Sequence, residues 1–202
     1  MLSAHNQFLQ NMQRTQDLLA LCINLNTTTG GVLDLGDLPR ACIVLGISAL
    51  DHFVHEITRV GRLQIYGNAR PATDSFRRFA VSMNGVLSGI ATPGDLTWLE
   101  AEIRSQHGWV SFQNADKIAD AARLVSSKRL WEEVAAILGT DARSAKNQLN
   151  LIVDRRNKIA HEADMDPSAP GARWPIDFPL VQEALQTLTR IAQAIHDVLC
   201  TP

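Results

Sequence analysis

Apolar side chains recur every three to four residues along almost the whole chain, and no stretch of useful length alternates with period two. That pattern predicts an all-α fold: an up-and-down bundle of about seven to eight helices, forming a single domain over residues 1–202. The first helix runs from Leu2 to Leu25 and ends at Asn26, a threonine run and Gly30-Gly31. Asp37 stands where a cap is needed for a long second helix. Ile43, Ile47, Leu50, Val54 and Ile57 form its inner stripe, and Gly67 breaks it. Thr73 or Asp74 caps a third helix, expected to turn Phe76, Phe79, Met83, Val86, Leu87 and Ile90 inward until Pro93-Gly94.

Asp95 starts a fourth helix whose buried face is Leu96, Leu99 and Ile103. After Gly108 an irregular piece from Trp109 to Gln113 leads to a fifth through Ile118 and Leu124. Ser127 opens the sixth, to Leu138, and Asp141 opens a long seventh that runs into His161. From Asp164 to Pro179 the prolines at 167, 170, 175 and 179 forbid a helix, so the longest break in the chain falls here. Asp177 caps the last helix, with Val181, Leu185, Leu188, Ile191, Ile195 and Val198 on one face. No internal repeat, low-complexity tract or charged linker divides the chain.

Composition narrows the function classes. There are 19 Lys and Arg against 21 Asp and Glu, a net charge of −2, which excludes a protein that coats nucleic acid by bulk charge. Any polyanion contact has to come from a local cluster. Cys22, Cys42 and Cys200 are odd in number and sit in apolar helical patterns, as reduced thiols of a cytoplasmic protein do. The nearly apolar run from Ala41 to Leu50 is about half a bilayer span, and the N-terminal residues lack signal-peptide patterning, so no membrane is expected as a partner.

The local cluster lies in the seventh helix. Between Arg143 and His161 five basic residues (Arg143, Lys146, Arg155, Arg156 and Lys158) face one acid, Asp154, an excess of +4 in a chain of negative net charge. At about 100° per residue His161 lies about 40° from Asn157 and about 140° from Arg156. The Asn157 amide is thus placed to hold the imidazole in one tautomer, while the Arg156 side chain has to reach across the helix surface. An imidazole beside a guanidinium suits RNA cleavage without metal. The base takes the proton of a 2′-hydroxyl, and the guanidinium holds two oxygens of the phosphorane that forms. The leaving 5′-oxygen also needs a proton, and a symmetric pair of chains supplies a second histidine.

Other candidates rank behind these. Arg155 and Lys158 can contact RNA phosphate or lie on a solvated face. Asp51 or His55, one turn apart, can face the Arg156 groove and orient the catalytic groups; with His52 and Glu56 they look like a metal site, but no third and fourth ligands follow from the sequence, and no metal or other cofactor is expected. Glu162 is placed to stabilise an imidazolium at His161, or simply starts a solvated loop with Asp164 and Asp166. Arg173 and Trp174 can stack on a base or pin the proline loop. His5, His107 and His196 have no evident partner.

The stretch Arg155-Arg156-Asn157-Lys158-Ile159-Ala160-His161-Glu162 resembles the signature of the HEPN superfamily. The helix around Ala49-Leu50-Asp51-His52-Phe53-Val54-His55-Glu56 and the entry Phe112-Gln113-Asn114-Ala115-Asp116-Lys117-Ile118 are similar to its RiboL-PSP branch. The resemblance implies an all-α domain and Arg156 and His161 as a catalytic pair, with Asn157 the polar residue after the arginine. It further implies a homodimer joined at this groove, an RNA substrate, and a role in toxin–antitoxin, anti-phage or RNA-processing systems, with an antitoxin or regulatory protein as a partner. The alternative it carries is a non-catalytic module that binds RNA or a partner protein.

Overall fold

In the computed structural model, which describes residues 1–200, nine helices are found and no named strand among the described residues. They are α1 (Leu2–Thr28), α2 (Asp37–Tyr66), α3 (Asp74–Arg77), α4 (Met83–Ala91), α5 (Thr97–His107), α6 (Ala115–Arg123), α7 (Leu130–Leu138), α8 (Ala142–His161) and α9 (Phe178–Cys200). The all-α expectation therefore stands, with one helix more than the pattern predicts.

Short polar residues set several of the starts, because their side chains accept the first free amides of a helix. Thr73 accepts from Phe76 N, Ser82 from Gly85 N, Asn114 from Lys117 N and Asp141 from Ser144 N. Asp177 accepts from Leu180 N at 2.7 Å. Three starts differ from expectation: Leu96, not Asp95, precedes α5, and Asp95 accepts from Thr97 N at 2.9 Å. Gly36, not Asp37, occupies the cap of α2, and the Asp37 carboxylate pairs with Arg173 of the proline loop instead. Arg129, not Ser127, precedes α7.

Buried side chains of α1, α2, α6, α7, α8 and α9 form one contiguous cluster. α2 and α9 are its centre. α9 packs against α1, α2, α7 and α8, and α2 packs against α1, α5, α6, α8 and α9. Gly46 lets α2 and α9 approach: a Cβ there would meet Leu185 Cδ2 at 2.8 Å and Leu188 Cδ1 at 3.1 Å. α2 is long and apolar enough, by length and composition, to cross a membrane, and 56 % of that window is buried inside the bundle.

The third expected helix is corrected in two ways. It is split into α3 and α4, because Ser82 caps a new helix and its side chain and backbone N–H are both held by the Glu102 carboxylate of α5. The α4 part of its stripe also faces outward: Met83, Leu87 and Ile90 are exposed, whereas Phe76 packs against the core and Phe79 lies under the Arg62 guanidinium. α4 leans on α5 and α5 on α2, so this hairpin sits outside the main cluster.

Candidate functional site

α8 carries the motif at its C-terminal end. Ala145, Leu149 and Val153 are its buried positions, and Asn157 and His161 continue the same i,i+4 series past the edge of the core, where both are exposed. His161 is the last helical residue and is exposed, and no described residue hydrogen-bonds its ring. The Asn157 carboxamide oxygen accepts from Arg156 Nη1 at 3.0 Å, in place of the expected contact with the imidazole. Arg156 is half-buried, and its Nε is buried without a partner among the described residues.

Directly after the motif the chain reverses in an uncommon way. Ala163 (φ +50°) and Asp164 (φ +59°) are both left-handed, a conformation that costs a residue with a Cβ about 1–2 kcal/mol. Glu162 N and Asp164 N both donate to Lys158 O, at 3.0 Å each, closing the helix end. What holds the strained pair is a buried ionic knot. Asp164 is 1 % exposed, and its Oδ2 accepts from Arg40 Nε at 2.6 Å and from Arg155 Nη2 at 2.8 Å. Arg40 Nη2 also donates to Trp174 O at 2.7 Å, and Arg155 Nη2 to Pro175 O at 3.1 Å. One carboxylate thus ties the start of α2, the end of α8 and the proline loop together.

This knot revises the roles drawn from sequence. Arg155 Nη2 donates to Asp164 and to the carbonyls of Trp174 and Pro175, so this side chain anchors the loop behind the motif. Asp164 is not part of a solvated acidic patch, since two guanidinium groups neutralise it. Trp174 is pinned through its backbone, which leaves Lys158 Nζ 5.8 Å from its ring centroid. Lys158 itself pairs with Asp154 at 2.9 Å, and Glu162 stays exposed with its carboxylate unpaired among the described residues.

Asp51 and His55 act one step away from the motif. Asp51 Oδ1 accepts from Phe112 N at 2.6 Å and Oδ2 from Gln113 Nε2 at 3.4 Å, so this side chain of α2 clamps the loop between α5 and α6. His55 lies 3.8 Å from Asp51 and its ring packs on Phe112, centroids 4.6 Å apart. The clamped loop in turn lines a cavity of about 420 Å³ whose other wall is Val153 and Asn157. Sequence reading placed Asp51 and His55 near the groove; the structure has them gripping the loop beside Asn157, with no contact to Arg156.

Neighbouring groups that sequence reading passed over form a second cluster. Arg62 is 1 % exposed and has no acidic partner among the described residues; its Nη1 donates to His107 Nε2 at 3.0 Å and its guanidinium lies 3.4 Å over the Phe79 ring. Burial, aided by Arg62 and His55, pushes His107 down to about 4, and burial pushes Arg62 down to about 10. His5, also taken as ordinary, is buried and stacks on His196 at 4.3 Å. Glu56 is held by Arg59 and Arg104. Among the described residues no group of three or more His, Cys, Asp or Glu is placed to hold a metal ion.

The sequence profile of the family described as RiboL-PSP-HEPN matches residues 10–201. The chain belongs to the RiboL-PSP-HEPN family. The match takes in α2, the clamped loop and all of α8, so the HEPN-type motif Arg156-Asn157-x-x-x-His161 lies within the family region rather than at its margin. No curated protein and no solved structure matches the chain.

Proposed function

We propose that this RiboL-PSP-HEPN protein is a metal-independent endoribonuclease that works as a homodimer. The observation that carries the reading is the presentation of the motif. Arg156, Asn157 and His161 stand at the solvent-facing end of one rigid helix, and a two-arginine knot fixes the chain reversal behind them. A lone, exposed and unpaired histidine is half of an acid–base pair; the other half is the same residue of a second chain.

In this mechanism one imidazole takes the 2′-hydroxyl proton, and the oxygen so activated attacks the adjacent phosphorus. The two Arg156 guanidinium groups stabilise the added negative charge, and the second imidazolium protonates the departing 5′-oxygen. The products are a 2′,3′-cyclic phosphate and a 5′-hydroxyl. Asn157 positions Arg156 through the 3.0 Å bond between them. The reaction needs no cofactor. A cytoplasmic setting and silencing by an antitoxin or regulatory protein complete the reading, since an open groove that cuts RNA needs a cover when idle.

The test is incubation with single-stranded RNA in excess chelator, alongside Arg156→Ala and His161→Ala. Cyclic-phosphate ends from the parent and none from His161→Ala are expected; equal cutting by both, or none by the parent, refutes the enzyme. One observation favours the second reading, a non-catalytic module: no described group orients the His161 ring. That reading wins if RNA or a partner protein binds at the groove, Arg156→Ala abolishes the binding, and no cut is ever seen.

A further inference from the structure

The loop that Asp51 clamps carries the most exposed aromatic ring of the α5–α6 connection. Trp109 is 93 % exposed and makes no ring contact with another side chain among the described residues, which is costly for an indole. It is not on a bland surface. It lines the 420 Å³ cavity with Ser111, Gln113, Asn114, Lys117 and Asn157, the last being part of the Arg-to-His motif. A volume of that order is within the range of small-ligand clefts.

The polar atoms of the cavity are partly committed, and the remainder is informative. Gln113 Nε2 is directed to Asp51, which leaves its carbonyl oxygen as an open acceptor. Asn114 Oδ1 caps α6, which leaves its amide NH₂ as an open donor. Lys117 forms no ion pair among the described residues and supplies a positive charge beside them. An acceptor next to a donor, under an unpartnered indole, complements the hydrogen-bonding edge of an unpaired base, a feature that duplex RNA hides. Asn157 is one helical turn, about 6 Å of rise, before His161, so a base held here sits next to the reacting phosphate.

We infer that this cavity is a base-binding subsite for single-stranded RNA: Trp109 stacks on a nucleobase flanking the scissile bond, Gln113 and Asn114 meet its edge, and Lys117 meets a phosphate. The inference rests on the RNA-binding reading of the motif groove and extends it to the α5–α6 loop. Asp51 and His55 are positioning residues in this scheme, acting through the loop that they grip. Stacking of this kind predicts a fivefold to roughly hundredfold loss of affinity when the ring is removed.

The test uses a 2′-O-methyl RNA octamer, which cannot be cut because its nucleophile is blocked, with binding read by anisotropy at fixed salt for the parent, Trp109→Ala and Trp109→Phe. The ring packs against no other ring, so these variants fold. Weaker binding by Trp109→Ala, recovery with Trp109→Phe, and no effect of either on a duplex of the same sequence support the subsite. Equal affinity of parent and Trp109→Ala for the single strand overturns the subsite and leaves the ribonuclease reading intact. Absence of binding by the parent overturns both. If Trp109→Ala instead converts a dimer to a monomer in sedimentation, the ring is a contact with a second copy and the subsite is refuted.

Discussion

Replacing Asp164 by alanine tests whether one buried carboxylate organises the end of α8. The carboxylate is 1 % exposed and serves two guanidinium groups, one of which, Arg40, is itself buried. Removing one partner of a buried ion pair costs about 3–5 kcal/mol, mainly because the surviving charge is stranded. Arg40 keeps its bonds to Gly36 O and Trp174 O, and Arg155 is exposed enough to recruit water, so the low end of that range applies. Alanine at φ +59° adds about 1 kcal/mol, since aspartate tolerates the left-handed region better. The sum, about 4 kcal/mol, is a large part of the 5–15 kcal/mol that holds a typical domain. Urea unfolding followed by circular dichroism should show the midpoint falling by about 1–2 M at unchanged slope. Asp164→Asn, which keeps the backbone preference and one acceptor but loses the charge, should fall between parent and alanine. Amides from Glu162 to Trp174 should also exchange faster with solvent. A loss under about 1 kcal/mol for Asp164→Ala would refute the knot as the element that holds this turn.

Three further outcomes follow from the same structure. His107 titrates near 4 in the fold against an ordinary 6.5. Between those values the unfolded chain binds the extra proton, so stability falls as pH drops from 6.5 towards 4. The full shift is worth about 3 kcal/mol, and partial exposure reduces it to about 1–2. His107→Gln should flatten that part of the curve in unfolding at pH 7 and pH 4.5, and an unchanged slope would count against the assignment. Ala163→Val, which forces a β-branched residue to φ +50°, should cost about 1–2 kcal/mol while Ala163→Gly is neutral or mildly stabilising, read by thermal melting; equal melting temperatures would contradict the strain. Leu87→Ser on the outer face of α4 should change stability by less than about 0.5 kcal/mol, whereas Leu99→Ala in α5, 3 % exposed, should cost about 2–4; the reverse order would restore the inward-facing stripe.

Sequence legibility followed the range of the interaction concerned. The stripes of α2 and α9, and the Asp141 to His161 extent of α8, could be read because amphipathic periodicity and capping are local. The α4 stripe misled for the same reason: a period of 3.6 says that one face is apolar, and says nothing of whether a neighbour covers it. The split at Ser82 depends on Glu102, twenty residues away, and the burial of Arg155 depends on Asp164 and on loop carbonyls brought round by the reversal. Arg156 and Arg155 are adjacent and chemically identical, yet only the fold shows that Arg155 reaches the loop and Arg156 reaches Asn157. Trp109 was unremarkable in sequence because its signal is absence of contact, which no local pattern encodes.

The central place of α9 sets a timetable for the chain. α2 is finished by Tyr66, but the helix that covers it begins only at Phe178. At translation rates of about 5–20 residues per second, that apolar helix waits on the order of ten seconds for α9. During that interval α2 is a long hydrophobic segment with one long neighbour, α1, and its pairing with α9 closes a large loop, which is slow. The arginine knot, which needs both Arg40 and Asp164, also cannot tie until α8 has emerged. The chain reversal behind His161 is therefore among the last parts of the fold to be completed during synthesis.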